Sequence, residues 1–197
     1  EAPWRTKKVF GTAAATDWWR LYCVGSAAGD PVRFQSAVGG STQNANSTSA
    51  YIINTWQHIC AVATSATSRA VFINGGSKGT NANNSTPSGV DTFAVGIRLL
   101  STTVDPFDGR IAEVTIWNVA LTDAEVALLG NRMHSFRIRT GNIVGYWPLG
   151  FVSPDPDFSG QARNLTITGA TIADHVPLGP PFGFNEKRSW SVSAVVP

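Results

Sequence analysis

Charge is scarce in this sequence: only 14% of its 197 residues are Asp, Glu, Lys or Arg, well under the usual quarter. Fifteen Lys and Arg stand against thirteen Asp and Glu, a formal +2, and the basic residues form no run. That excludes the electrostatic footprint of a nucleic-acid binder. No stretch approaches 18 consecutive apolar residues, so no membrane insertion is expected. Cysteine is nearly absent, and no zinc spacing exists. Cys23 and Cys60 each fall inside an apparent strand and read as small buried hydrophobes; a disulfide between them would need facing Cβ atoms. The opening Glu1-Ala2-Pro3-Trp4-Arg5 carries neither an initiator Met nor a signal-peptide pattern, which reads as something removed upstream or a trimmed product.

What is present favours β structure. Seven Trp and ten Phe, many β-branched residues and abundant Gly, Ser, Thr and Asn describe short strands between turns. A chain of this size buries about two-thirds of its surface, enough for a core without staples. Trp18 to Val24 and Pro31 to Val38 read as strands; in the second, Val32, Phe34, Ser36 and Val38 alternate with Arg33, Gln35 and Ala37. The polar segments 39–49 and 77–89 read as solvated loops. Strands are expected over Trp56–Thr64, Arg69–Asn74, Thr92–Ile97, Arg110–Asn118, Ile143–Leu149 and Asn164–Thr168. Asn74-Gly75-Gly76 is the strongest tight-turn signal, since Asn and Gly accept positive φ. One helix, Thr122 to Leu129, opens on a capping box of Thr122 with Glu125 and ends at Gly130, placed for a left-handed stop.

Beyond residue 175 the pattern changes. Val176-Pro177-Leu178-Gly179-Pro180-Pro181-Phe182-Gly183-Phe184 cannot continue a helix or a central strand. Trp190, Val192, Ala194 and Val196 then alternate with Ser189, Ser191 and Ser193, a half-buried terminal strand. It either closes the chain's own sandwich or adds to a neighbour's sheet edge.

Three stretches carry a family likeness. The run Trp56-Gln57-His58-Ile59-Cys60-Ala61-Val62, with Ala70-Val71-Phe72-Ile73-Asn74-Gly75-Gly76, resembles the concanavalin A-like lectin/glucanase superfamily, and within it the laminin G-like, pentraxin-related branch. Asp108-Gly109-Arg110-Ile111-Ala112-Glu113-Val114-Thr115-Ile116-Trp117-Asn118, then Ala120 to Val126, is the more specific match. Gly145-Tyr146-Trp147-Pro148-Leu149, Asp157, Ser159-Gly160, Asn164-Leu165-Thr166 and Ala173-Asp174-His175 resemble its closing part. The variant is similar to those of phage particles and environmental bacteria. The resemblance implies an all-β antiparallel jelly-roll sandwich over 18–175 with one short helix. Residues 1–17 then replace or remain from the family's first strands, and 176–197 form an extended, Pro-rich C-terminal arm ending in a strand. First strands missing at one end and a strand in surplus at the other suggest strand exchange in an assembly.

Catalysis is not expected. Glucanases on this fold set carboxylates about 5–5.5 Å apart on one strand; here Glu113 is the sole carboxylate of its strand, with Ile111 and Thr115 on its face. Asp123 and Glu125 belong to the helix start, and Asp155 and Asp157 to a Pro-punctuated turn. His58 reads as a hydrogen-bonded core or edge residue, His134 as a surface connection and His175 as part of a turn. Gly-x-Ser-x-Gly is absent. No cofactor is expected, although relatives of the laminin G and pentraxin type bind calcium through loop oxygens; Asp91, Asp105, Asp108 and Asn118 are the candidates. An aromatic among Trp18, Trp19 and Tyr51 could stack on a sugar, though Trp18 and Trp19 point to opposite faces, so one of them is core. The leading expectation is a non-enzymatic virion structural protein, a capsid decoration or tail-associated subunit, located in the virion or outside the cell. Its partners would be other virion subunits or copies of itself, with Pro180, Pro181, Phe182, Phe184, Trp190, Val192 and Val196 anchoring the arm. The alternative is a carbohydrate-binding adhesion module for a cell-surface glycan, assisted by calcium.

Overall fold

The computed structural model describes residues 7–13, 16–25, 27–97, 106–151, 153–174 and 194–195. The period-two pattern of the early strands builds the first layer. In β2 (Trp18–Cys23) and β3 (Pro31–Val38), Trp19, Leu21, Val32 and Phe34 turn inward and are all under a tenth exposed, while Trp18, Tyr22, Arg33 and Gln35 take the other face. β1 (Lys7–Ala13), β4 (Ser41–Ala50) and β8 (Thr92–Val95) complete a five-stranded sheet in the order β4-β3-β2-β1-β8. β1 is therefore interior, paired with β2 on one side and β8 on the other.

Both polar segments expected to be loops contain strands, the first over nearly all its length and the second only to Asn81. Ser41–Ala50 pairs with β3 across a turn at Gly39 and Gly40, both at positive φ. Its neighbour in space is β7 (Gly76–Asn81), which lies within the second expected loop. Weak β propensity is overridden here by side-chain bonding across the seam, where Asn81 Nδ2 donates to the Asn44 carbonyl at 3.1 Å and Asn83 Nδ2 to Gln43 Oε1 at 2.7 Å.

The second layer contains β5 (Ile59–Ser65), β6 (Ser68–Ile73) and β7 in one hydrogen-bonded unit. The other unit is β10 (Ile143–Trp147), β9 (Val114–Trp117) and β11 (Ala194–Val195). β11 runs parallel to β9 and alongside β5. Ile59, Ala61, Ala63, Val71 and Ile73 face the first sheet and form the inter-sheet core. Cys60, Val62, Ala70 and Phe72 face away and form a second core with Trp117, Leu121, Val126, Leu129 and Ile143. The helix α1 (Asp123–Gly130) caps that side. Cys23 packs against the first core and Cys60 belongs to the second, so the two thiols do not pair. Each buried Val, Leu or Phe contributes roughly 1.5–3 kcal/mol.

Three elements differ from expectation by more than a few residues at an end or in their cause. The strand expected over Arg110–Asn118 is only Val114–Trp117, because Glu113 has φ 58, which turns the chain out of the extended region just before β9. Asn164–Thr168 forms no strand; Leu165 makes a single bridge to Asp155. The capping box of Thr122 and Glu125 is present, but Gly130 is the last helical residue and not a left-handed stop. The reason for glycine there is space: a Cβ on Gly130 would collide with the backbone of Asn74 and Gly75. Asp105, His175 and the arm residues Pro180, Pro181, Phe182, Phe184, Trp190, Val192 and Val196 lie outside the described residues.

Candidate functional site

The outer face of the five-stranded sheet is where chemistry collects. Strand alternation sends Trp18, Arg20 and Tyr22 of β2 to that face, opposite Ala37, Gln35 and Arg33 of β3, and Gln35 and Arg33 are in turn opposite Asn44 and Asn46 of β4. Trp18 Nε1 donates to Gln35 Oε1 at 3.2 Å. The Gln35 amide donates to Tyr22 Oη at 3.1 Å and to Asn44 Oδ1 at 2.8 Å. Arg33 Nε donates to Asn46 Oδ1 at 2.7 Å, and the Arg33 guanidinium also reaches Tyr22 Oη. Arg20 lies over the Trp18 ring, 4.1 Å from its centroid, and Arg33 lies over the Tyr22 ring.

Exposure divides this ladder into two roles. Arg20, Tyr22 and Gln35 are each less than a tenth exposed and act as braces. Trp18, Arg33 and Asn44 are half-buried and Asn46 is exposed, so they offer the accessible surface. An indole face beside planar amides and a guanidinium can stack on an apolar ring face and hydrogen-bond the hydroxyls around it. The alternation over 31–38 already places Arg33 and Gln35 on the face away from the core. Asn44 and Asn46 escape sequence reading because their strand is composed like a loop.

The residues singled out from sequence do not converge. Trp19 is the core member of its pair, 4% exposed and stacked on Phe34 at 5.2 Å. Tyr51 follows the far end of β4 and packs against the inter-sheet core; burial raises its phenol pKa above the ordinary value. Asp91 Oδ1 accepts from Thr92 Oγ1 at 2.9 Å, Asn118 Oδ1 accepts from Asn142 Nδ2 at 3.0 Å, and Asp108 is exposed in the loop before Gly109. Among the described residues, no three His, Cys, Asp or Glu side chains gather as a metal site.

The remaining carboxylates hold structure. Both oxygens of Asp157 accept hydrogen bonds: Oδ1 from Tyr146 N and Ser159 N, Oδ2 from Ser159 Oγ and Arg163 N. Asp123 bonds Lys78, and Glu125 bonds Thr122 and Arg139. Glu113 is 1% exposed and accepts from Tyr146 Oη at 2.7 Å; burial pushes its carboxyl up to about 8 although that bond acts the other way. His134 Nε2 lies 3.3 Å from the same phenol oxygen, and burial lowers the pKa of its ring.

Residues 1–127 match a laminin G-type family model described as the concanavalin A-like lectin/glucanases superfamily. Among solved structures, the chain is similar to an S-layer domain-containing protein (its residues 221–444) from Clostridium thermocellum. The two share 18% identity with a TM-score of 0.38, over 66% of this chain and 68% of that one. No curated protein matches the chain.

Proposed function

The chain belongs to the concanavalin A-like lectin/glucanase superfamily, and we propose that it is a non-enzymatic carbohydrate-binding module that recognises glycan on the outer face of its five-stranded sheet. The observation that carries this reading is the braced ladder in which Gln35 ties Trp18, Tyr22 and Asn44 together while Asn46 holds Arg33. Side chains fixed this way lose little entropy when a ligand docks. The non-enzymatic part is supported by the work the carboxylates already do: Asp157 pins a loop, Glu125 caps a helix and Glu113 is shut in beneath Tyr146.

A glycan screen on the purified chain tests the reading, with Trp18→Ala and Asn46→Ala beside it. Binding is expected for the parent and a loss of about tenfold or more for Trp18→Ala, with an unchanged circular dichroism spectrum; tenfold is about 1.4 kcal/mol, within the about 1–3 kcal/mol that an aromatic contributes by stacking on a nucleobase. Chelation with EDTA is expected to leave binding unchanged, since the ladder offers amides, a guanidinium, an indole and a phenol but no carboxylate. A screen with no glycan ligand, or equal binding by Trp18→Ala, overturns the reading.

A second reading has its own support. β11 follows a Pro-rich stretch of sequence and pairs in parallel with β9. That arrangement suits a structural subunit of an extracellular assembly such as a phage particle, where arms link copies. Mass spectrometry of isolated particles tests it; absence of the chain from every particle fraction counts against it.

A further inference from the structure

We propose that the slot between β9 and β5 is a strand acceptor that takes the C-terminal segment of a second copy of this chain. Two walls define the slot. β9 pairs on one side with β10, and β5 pairs on one side with β6; between them runs β11, with Ala194 opposite Ile116 and Val195 opposite Trp117. Without β11, each wall would turn a row of backbone N–H and C=O groups toward an empty slot. These walls are buried: Cys60, Ala61, Thr115 and Trp117 are all fully enclosed. The slot therefore demands an extended guest, hydrogen-bonding parallel to β9, and the alternation from Ser189 to Val196 supplies such a pattern.

The pairing that holds that guest is of a kind of its own among the described strands. Every other pairing between the described strands is antiparallel, while this one is parallel and needs a long crossover. Between Asp174 and Ala194 lie the 19 residues 175–193. Such a length reaches about 60–70 Å when extended, against a radius of gyration of about 16 Å for a domain of this size. A neighbour's slot is thus within reach. The guest makes the same contacts in either slot, so protein concentration and the entropy of the connection set the balance. This supplies a means of joining copies for the assembly reading, and its failure leaves the glycan face untouched.

Light scattering of the full chain across about three decades of concentration provides the first readout. A dimer fraction that grows with concentration is expected, and it should vanish in Ala194→Pro, which removes an N–H from the slot. In the second readout, wild-type dimer is incubated with excess synthetic peptide of residues 185–197. Conversion to monomers carrying one peptide each is expected, and this arm decides the matter if Ala194→Pro does not fold. A monomer at every concentration overturns the proposal, as does a dimer that survives both the substitution and the peptide.

Discussion

Two buried titratable residues pull in opposite directions at the scale of single side chains. His58 enters β5 with its backbone N–H on Asn74 Oδ1 and its carbonyl taking the Asn74 N–H. Its ring is shut in, with no hydrogen-bond partner for either nitrogen among the described residues, and burial pulls it down to about 4 from an ordinary 6.5. The unfolded chain therefore binds a proton that the fold refuses, and stability rises with pH between those values. Glu113, held at about 8 against an ordinary 4.5, does the reverse: the fold keeps a proton that the unfolded chain releases, and stability falls as pH rises between them. Each slope is about 1.4 kcal/mol per pH unit. Their two contributions cancel from pH 4.5 to 6.5, and the urea midpoint should drop from pH 6.5 to 8, where only Glu113 of the pair still acts. In Glu113→Gln the midpoint should rise with pH up to 6.5 and then level; in His58→Leu it should fall from pH 4.5 onward. Parallel curves for all three proteins would refute this account. The sequence carries the position of His58 at a strand start but not the lack of a partner for its ring, because that depends on what the second core stacks against it. Glu113 is less legible still, since its left-handed backbone breaks the very alternation from which its face would be read.

At the scale of elements, the β6–β7 turn and α1 meet at glycines. The two-residue Asn74–Gly75 turn, with φ 51 and 74, joins β6 to β7 and sits against the C-terminal end of α1, where a Cβ on Gly75 would stand 2.7 Å from the Ala127 Cα. The turn itself is legible from Asn-Gly between two strand-like runs. Its contact with the helix is not, because a glycine at a helix end has two explanations, a left-handed stop or a close approach. Substitution separates them. In a helix, Gly→Ala ordinarily stabilises by roughly 0.5–1 kcal/mol. Gly130→Ala is expected to destabilise by about 1 kcal/mol or more, because the new methyl meets the backbone of Asn74 and Gly75, which cannot swing aside like a side chain. A raised denaturant midpoint would show that the turn and helix are not in close contact. The same logic accounts for the loop-like composition of β4: its Ser49 hydroxyl meets Ser77 of β7 and its Asn44 carbonyl accepts from the Asn81 side chain, a use of polar residues that local composition does not reveal.

At the scale of the whole molecule, two sheets are held at one distance along a polar seam between β4 and β7. Ser49 and Ser77 meet there at 2.6 Å between hydroxyl oxygens, Asn81 Nδ2 reaches the Asn44 carbonyl, and Arg69, 1% exposed, donates to Asn81 Oδ1 and to the Ala66, Asn83 and Ser85 carbonyls. Gly79 of β7 lies at the tightest point, its Cα so near the Asn46 carbonyl that any Cβ would overlap it. Its backbone lies outside the left-handed region, so conformational strain does not enter; only space does. Gly79→Ala must therefore push β7 away from β4, break the Asn and Ser bonds across the seam and loosen the Arg69 cage, whose carbonyl partners would be left in an enclosed, water-poor site. A loss of roughly 3 kcal/mol or more is expected, at the upper end for a single methyl, read as a lowered denaturant midpoint with faster amide exchange along both strands. Gly89→Ala is the control: it has open space around its Cβ but φ 62, so it should cost only about 1 kcal/mol through backbone strain. If the two substitutions cost the same, the sheets are not held apart at this seam, and the corner where the sandwich closes must be placed elsewhere.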